Sequence, residues 1–250
     1  MALVWHKCIG LTKYKVTRAG NAIRLYRNKV LHSQWNPSKP ISGNLWDLFL
    51  MSSIDANTPI NNVLVLGAGG GAIINLVHHF FPKCNVVAID LDETHLYVAR
   101  KYFKVSKKYC TLIHSDAKDW LKLNQNNKYD LIIDDVFIES DNVPYRSIQF
   151  QALWMKDLLL RLSKHGVLVI NFADKKEWLR SKKQLAKMKL IDKYQFAVAT
   201  HYACDNQVVH VSKKLFLSKN IKENLIYKSG RQYKRYIENG TIEYKKLAQW

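Results

Sequence analysis

The polar and apolar positions of the chain fall into two regimes. Residues 11–31, LTKYKVTRAGNAIRLYRNKVL, alternate polar and apolar side chains and break at Ala19-Gly20-Asn21, which predicts two antiparallel strands joined by a hairpin turn. The following HSQWNPSKPISGN carries two prolines, two serines and a glycine and reads as a loop, and LWDLFLMSSI after it has helical spacing. Residues 1–55 are therefore expected to form a small, separate N-terminal β element with a linker helix.

From Asn62 the pattern changes. VLVLG is a continuous apolar strand ending in glycine, AIINLVHHFF is an amphipathic helix, and CNVVAID is a second strand ending in an acid. Together they make a β-α-β unit. Helices over ETHLYVARKYF, AKDWLKLN and about 147–162 alternate with strands at CTLIHSD, YDLIIDDVF and GVLVINFA, with Gly166 breaking the chain between the last helix and its strand. Strands apolar at every position and separated by helices predict a mostly parallel sheet covered on both faces, a doubly wound α/β fold. The helix KEWLRSKKQLAKMKL and the strands QFAVATHYA and NQVVHVSKKLF follow, the last two forming an antiparallel edge. The expected organisation is a Rossmann-like domain over 56–218 and a basic C-terminal extension over 219–250.

Charge and cysteine usage add to this picture. Among 250 residues, 39 Lys and Arg face 20 Asp and Glu, a net charge of +19. Residues 175–250 hold 18 of the cations against 6 acids, so that end of the chain suits a polyanion such as nucleic acid. Cys8, Cys84, Cys110 and Cys204 are scattered with no C-x-x-C pair, which argues against a disulfide framework or a zinc cluster and for a cytoplasmic setting. His78-His79 lacks a third ligand at useful spacing, so no metal site is expected. The first residues lack the apolar core of a signal peptide, and no apolar run approaches the roughly 18 residues a membrane span needs. Trp5, Trp120, Trp154 and Trp178 read as packing residues, whereas Trp35 and Trp46 lie in the segment expected to cover the cleft.

The chemistry concentrates at strand ends. Gly67-Ala68-Gly69-Gly70-Gly71 follows the first parallel strand and opens a helix, where a turn with glycines at 67, 69 and 71 lets the backbone approach a nucleotide-type ligand. Asp90, at the end of the next strand, is placed to accept both hydroxyls of a ribose, and Asp92 two residues on to cap the following helix. Asp116 after the third strand is placed to reach the exocyclic amine of an adenine or to cap its helix. Asp134 and Asp135 end the fourth strand; adjacent strand residues point to opposite faces, so one of the two faces the cleft. The glycine spacing is G-x-G-x-G rather than G-x-G-x-x-G, and no arginine stands by for a second phosphate. A single nucleoside of the S-adenosyl type therefore fits better than a dinucleotide.

The stretches RLYRNKVLHS, VLVLGAGGGAII, VVAIDLDETHLYVARKYF, HSDAKDWL, YDLIIDDVF and HGVLVINF, in order over about 60% of the chain, resemble the spermidine synthase family. That resemblance implies a class I methyltransferase-like fold with a small N-terminal β element, a homodimer, and an S-adenosylmethionine or decarboxylated S-adenosylmethionine co-substrate. It implies that Asp90 holds the ribose, Asp116 lies near the adenine, and Asp135 is the catalytic aspartate acting on the attacking amine, with Asp134 in reserve. His32 falls where the family has glutamine, and Trp46-Asp47 where it has Tyr-His-Glu; with Tyr145 and Gln149 they are the expected substrate-binding residues. Gly70 stands where the synthases carry the acid that anchors the donor amine. Asp135-Val136-Phe137-Ile138 replaces their Asp-x-x-Asp-Pro gate, leaving Glu139 and Asp141 as the nearby acids. The chain thus reads as a transferase of small-molecule donor and acceptor. Aminopropyl transfer to an amine is the first reading and methyl transfer the alternative. A noncatalytic nucleic-acid-binding protein on the same fold is the reading from another class.

Overall fold

The structure, a computed structural model, describes residues 1–55, 59–140, 143–148, 151–188, 191–213 and 232–247. Its N-terminal part is an antiparallel meander of four strands, β1 (Ala2–Ile9), β2 (Thr12–Ala19), β3 (Ala22–Arg27) and β4 (Val30–Trp35). The expected hairpin is β2 and β3, turning at Gly20-Asn21 with Gly20 at φ 55°. The outer two strands lie outside the sequence reading. β1 is exposed along almost its whole length, so no alternation marks it. β4 takes in His32 to Trp35, a polar run that reads as loop yet pairs with β3. Nor does this sheet stand apart: Val16, Ile23 and Leu25 are buried in the same apolar cluster as Leu48, Val63 and Ile74. A 3-10 turn (Leu45–Leu50) and α1 (Met51–Asp55) complete the link, as the helical spacing predicts.

The second part alternates strand and helix as read: β5 (Asn62–Leu66), α2 (Ala72–Phe80), β6 (Asn85–Asp90), α3 (Glu93–Lys101), β7 (Cys110–His114), α4 (Ala117–Leu123) and β8 (Tyr129–Asp134). Two short strands that the sequence pattern does not mark then pair antiparallel, β9 (Phe137–Ser140) and β10 (Val143–Arg146), where the family's gate motif is replaced. After α5 (Ala152–Leu160) comes β11 (Leu162–Phe172). Gly166 lies inside β11 rather than before it, at a register shift between Leu162 and Val167. A Cβ at Gly166 would stand 2.8 Å from the Tyr129 carbonyl oxygen, so glycine admits the neighbouring strand there. α6 (Lys175–Leu185), β12 (Gln195–His201), β13 (Gln207–Ser212), α7 (Gln232–Glu238) and β14 (Ile242–Lys246) follow.

The large sheet has the order β14-β12-β13-β11-β8-β5-β6-β7. Its pairs are parallel from β11 through β7 and antiparallel from β11 to β14. β14 closes the edge from within the stretch read as an extension; residues 219–231 and 248–250 of that stretch lie outside the described residues. The alternation of side chains along β5 explains why its apolar run is unbroken. Val63 and Val65 enter the core toward the N-terminal sheet, while Leu64 and Leu66 enter the core formed with α5 and α6. Going outward from β5, the chain runs one way to β6 and β7 and the other way to β8 and β11. This reversal opens a crevice at the strands' carboxyl ends. No helix among the described residues is long and apolar enough to cross a membrane.

One buried cation ties the hairpin to the sheet. Arg146 donates from Nη2 to Asp134 Oδ2 at 2.8 Å and from Nη1 to the Asn171 carbonyl at 2.6 Å, and Trp154 Nε1 donates to the same Asp134 oxygen at 2.8 Å. Asp134 is fully buried. Arg146→Met keeps the stem of the side chain but leaves that carboxylate without a cation. It is expected to lower the unfolding free energy by about 3–5 kcal/mol, read as a drop in the urea midpoint.

Candidate functional site

The crevice holds a cavity of 340 Å³ under β4 and the β9–β10 hairpin, within the size range of small-ligand pockets. Gly67, Gly69, Asp90, Asp116 and Asp135 line it, as do His32 and Trp46. The glycine turn is shaped first by its neighbours. Gly67 has φ 87°, and a Cβ there would stand 2.1 Å from the Asp135 carbonyl oxygen, so no other residue fits. At Gly70 a Cβ would meet Ser33 Cβ at 2.8 Å and Phe103 at 3.1 Å. The space that an anchoring side chain from this position would need is therefore taken.

Every amide of the turn has a partner. Gly67 and Ala68 donate to the Ile89 carbonyl at 2.9 and 3.0 Å, and Gly71 donates to Ala68 at 2.9 Å. Gly69 donates to Asp90 Oδ2 and Gly70 to Ser33 Oγ, both at 2.7 Å. A pyrophosphate needs such amides open, so the turn suits a nucleoside better than a dinucleotide. Gly71 has φ 91° and serves as the N-cap of α2.

The strand-end acids divide between structural contacts and the cavity. Asp90 accepts from Gly69 and, through Oδ1, from the Asp92 amide at 2.8 Å. Oδ1 also lies 3.5 Å from His95 Nδ1, whereas Oδ2 keeps a further lone pair able to accept a ribose hydroxyl. Asp92 caps α3, accepting from Thr94 and His95, and takes the Tyr14 hydroxyl at 2.6 Å. Asp116 caps α4 through Oδ1, accepting from Lys118 and Asp119 at 2.8 and 3.2 Å, and also lines the cavity. The second oxygen is not used by the cap. Of the pair ending β8, Asp134 turns into the core on Arg146 and Asp135 turns into the cavity, accepting from Asn171 Nδ2 at 2.8 Å.

Burial pushes the Asp135 carboxyl up to about 7; Asn171 and Arg146 oppose this, and Asp134 and Asp90 add to it. At neutral pH the group is therefore poised between its two forms. Across the cavity His32 and His95 lie with ring centroids 5.0 Å apart. Burial pulls the His95 imidazole down, but Asp90 and then Asp92 outweigh it and the net shift is upward. Burial and the neighbouring His95 charge push His32 down to about 4, so His32 faces the cavity as a neutral imidazole with Glu139 Oε2 at 3.4 Å.

Two expected substrate contacts sit elsewhere. Asp47 is 2% exposed, and its Oδ2 accepts from the amides of Ser42, Gly43 and Asn44 at 3.0, 2.6 and 3.1 Å. It closes the loop that begins the 3-10 turn and is not among the cavity-lining residues. Tyr145 is 45% exposed on β10, where its neighbours Pro144, Ser147 and Ile148 face the cavity instead. Trp35 packs against the core and does not line the cavity, while Trp46 does both. Gln149 and Asp141 lie outside the described residues. His78 stacks on Tyr109 at 3.7 Å between centroids, a packing role. Sequence reasoning missed Asn171, Asn206, His95 and Ser33. Asn171 carried a signal, a polar residue at the carboxyl end of an apolar strand, the same position that marks Asp90 and Asp135.

Residues 58–240 match the family described as a methyltransferase domain. The chain belongs to that family. It is similar over 133 residues, at 25% identity, to a probable polyamine aminopropyl transferase of Bifidobacterium longum, covering 53% of this chain and 28% of the relative. The chain therefore spans well under half the length of that relative. Among solved structures, a probable spermidine synthase from Corynebacterium glutamicum superposes with a TM-score of 0.71 at 16% identity, over 98% of this chain and 90% of that one. Human methyltransferase-like protein 13, in complex with SAH, superposes with a TM-score of 0.59 at 18% identity, over 82% and 94%. These likenesses establish the spermidine-synthase-like, class I methyltransferase fold that the sequence pattern suggested. A transferase is the enzyme class they share.

Two variants separate structure from site. Asp47→Ala is expected to destabilise the fold by about 2–3 kcal/mol, because three amide donors lose their acceptor. Affinity for an adenosyl ligand should stay unchanged in calorimetry of the folded protein. Because the Asp135 carboxyl is raised to about 7, its contribution to stability is present in acid and lost as the pH rises through that value. Asp135→Asn should thus melt higher than the unsubstituted protein at about pH 8 and lose that advantage at about pH 4, a difference that paired melting curves read directly.

Proposed function

We propose that the chain is a transferase that binds an S-adenosyl-type donor in this cavity and moves an aminopropyl group to an amine acceptor, with Asp135 receiving the proton. The observation that carries the reading is the Asp135 carboxylate. It faces the cavity at the end of β8, held by Asn171 at 2.8 Å and raised by burial to about 7.

The residues fit such a donor. Asp90 has an Oδ2 lone pair for a ribose at the cavity wall, Asp116 has its second oxygen for the exocyclic amine of an adenine, and Ile89, Ala117 and Ile148 offer apolar surface for the base. The donor supplies an electrophilic carbon bonded to a sulfonium. What the chain supplies is alignment, exclusion of water and a proton acceptor. An amine with pKa near 10 costs about 4 kcal/mol to neutralise at pH 7, at about 1.4 kcal/mol per unit. A carboxylate raised toward 7 lessens that mismatch by taking the proton as charge leaves the acceptor nitrogen. β4 and the β9–β10 hairpin cover the cavity, which favours a small acceptor over a folded protein. Leu45 and Trp46 add to the cavity's apolar wall.

A second reading, methyl transfer from intact S-adenosylmethionine, is favoured by Gly70. Ser33 and Phe103 fill the space beside it, so no acid from this position reaches the donor's amine. The two readings share the adenosyl contacts of Asp90 and Asp116 and part at the donor's tail and at the carbon attacked.

Parallel calorimetric titrations with methylthioadenosine, S-adenosylhomocysteine and decarboxylated S-adenosylmethionine separate them. Tighter binding of the first and third is the expected result. Preference for S-adenosylhomocysteine replaces the aminopropyl reading with the methyl one, and binding of none of the three removes the adenosyl site altogether. With a turnover assay in hand, kcat/KM should fall as the pH drops below about 7, where Asp135 takes up a proton, and Asp135→Asn should reduce it by about 100-fold or more. Unchanged turnover in that variant would sink the assignment.

A further inference from the structure

Asp135 has a support that the reaction, as read above, does not use. Asn171 at the end of β11 is 3% exposed and is gripped at three points. Its Nδ2 donates to Asp135 Oδ1 at 2.8 Å, its Oδ1 accepts from Asn206 Nδ2 at 3.0 Å, and its carbonyl oxygen accepts from Arg146 Nη1 at 2.6 Å. Asn206 lies in the connection between β12 and β13, beside the end of β11, and lines the same cavity. The donor from Asn206 fixes which end of the Asn171 carboxamide faces Asp135, because a flip would set two N–H groups against each other. Arg146 fixes the backbone that carries it.

We propose that Asn171 is a positioning residue: it holds the Asp135 carboxylate by one oxygen, turns the other toward the acceptor, and keeps the charged form accessible among neighbouring acids. The inference rests on the reading of Asp135 as proton acceptor. The charged groups around Asp135 come from every element that packs on it. Asp90 from β6 and Asp134 from β8 favour protonation, Arg146 from β10 opposes it, and Glu177 from α6 lies behind Arg146 with Oε1 at 3.7 Å from its Nε. Arg146 already neutralises Asp134, which leaves the Asn171 dipole as the direct counterweight on Asp135. A hydrogen bond to the charged form lowers a carboxyl's pKa, so removing this one has a defined sign.

The test follows the Asp135 side chain itself. The full-length chain, labelled with carbon-13 at the aspartate carboxyls, is titrated by NMR, with Asp135→Asn identifying the resonance. Asn171→Leu, which keeps the volume and deletes the donor, should move the Asp135 midpoint upward by about one pH unit or more. Asn171→Ser, whose hydroxyl can still donate, should fall between. In turnover, Asn171→Leu should lower kcat about tenfold or more and leave KM for the donor unchanged, since Asp90 and Asp116 are untouched. An unmoved midpoint in a folded Asn171→Leu overturns the inference. Should that variant fail to fold, Asn171→Ser and Asn206→Ala decide by the same shift, whose absence in both overturns it. If instead the midpoint moves while Asp135→Asn keeps full turnover, the proton-acceptor reading falls and the hold of Asn171 on Asp135 stands.

Discussion

The ion pair between Arg146 and Asp134 is the contact on which the site's shape depends, because it joins three things that would otherwise be independent. It anchors the β9–β10 hairpin to the floor of the sheet and fixes the carbonyl of Asn171. It also compensates the buried charge of Asp134, which stands next to Asp135 along the chain. Desolvating two charges is costly, and a buried pair of this kind is weak evidence for net stability. Its value here is geometric. Adjacent residues of one strand face opposite ways, so a single Asp-Asp dipeptide gives the core an anion for Arg146 and turns a second carboxyl into the cavity.

The N-terminal sheet closes the same cavity from the other side by a set of small polar latches. Ser33 meets the Gly70 amide, Tyr14 meets Asp92, and Asn28 Nδ2 donates to Glu139 of the hairpin at 2.8 Å. Each latch joins a residue of the sheet or its β3–β4 turn to a residue at a strand or hairpin end of the second part, so lid and crevice are in register. Individual hydrogen bonds of this kind contribute about 0.5–1.5 kcal/mol net. The burial of Val16, Ile23 and Leu25 in the shared core adds about 1.5–3 kcal/mol for each fully buried side chain. Apolar contact therefore holds the sheet in place, and the polar latches decide its alignment.

Much of the second part was legible because it obeys one rule repeatedly: a strand apolar at every position, then a glycine or acid, then a helix. β5 and β6 each satisfy it, β8 keeps the apolar run and the acid but leads into β9, and Asp90, Asp116 and Asp135 stand at strand ends along the cavity wall. β1 escaped because a strand exposed on both faces has no period. β9 and β10 escaped because four-residue strands carry too few positions for one, and their pairing draws on Arg146, a contact 12 residues distant in sequence from Asp134. Asp47 was misjudged for a different reason. The family resemblance put it at the substrate, and only the fold reveals that Ser42, Gly43 and Asn44 turn their N–H groups onto it.

The glycine turn carries the argument about ligand class further than its spacing does. Glycine-rich turns after a first strand serve both phosphates and nucleosides, and the spacing alone leaves the choice open. Here the five amides from Gly67 to Gly71 are all satisfied within the protein, by Ile89, Asp90, Ser33 and Ala68. A phosphate arriving at this turn would have to break those bonds and would also meet the carboxylate of Asp90, whose charge repels it. A ribose meets the same carboxylate as a hydrogen-bond acceptor. The turn's glycines are thus required less for closeness to a ligand than for closeness to the protein itself: Gly67 passes against the Asp135 carbonyl and Gly70 against Ser33. That packing brings the end of β5 against the end of β8, and so sets Asp135 beside Asp90 in the one crevice where the sheet's direction of winding reverses.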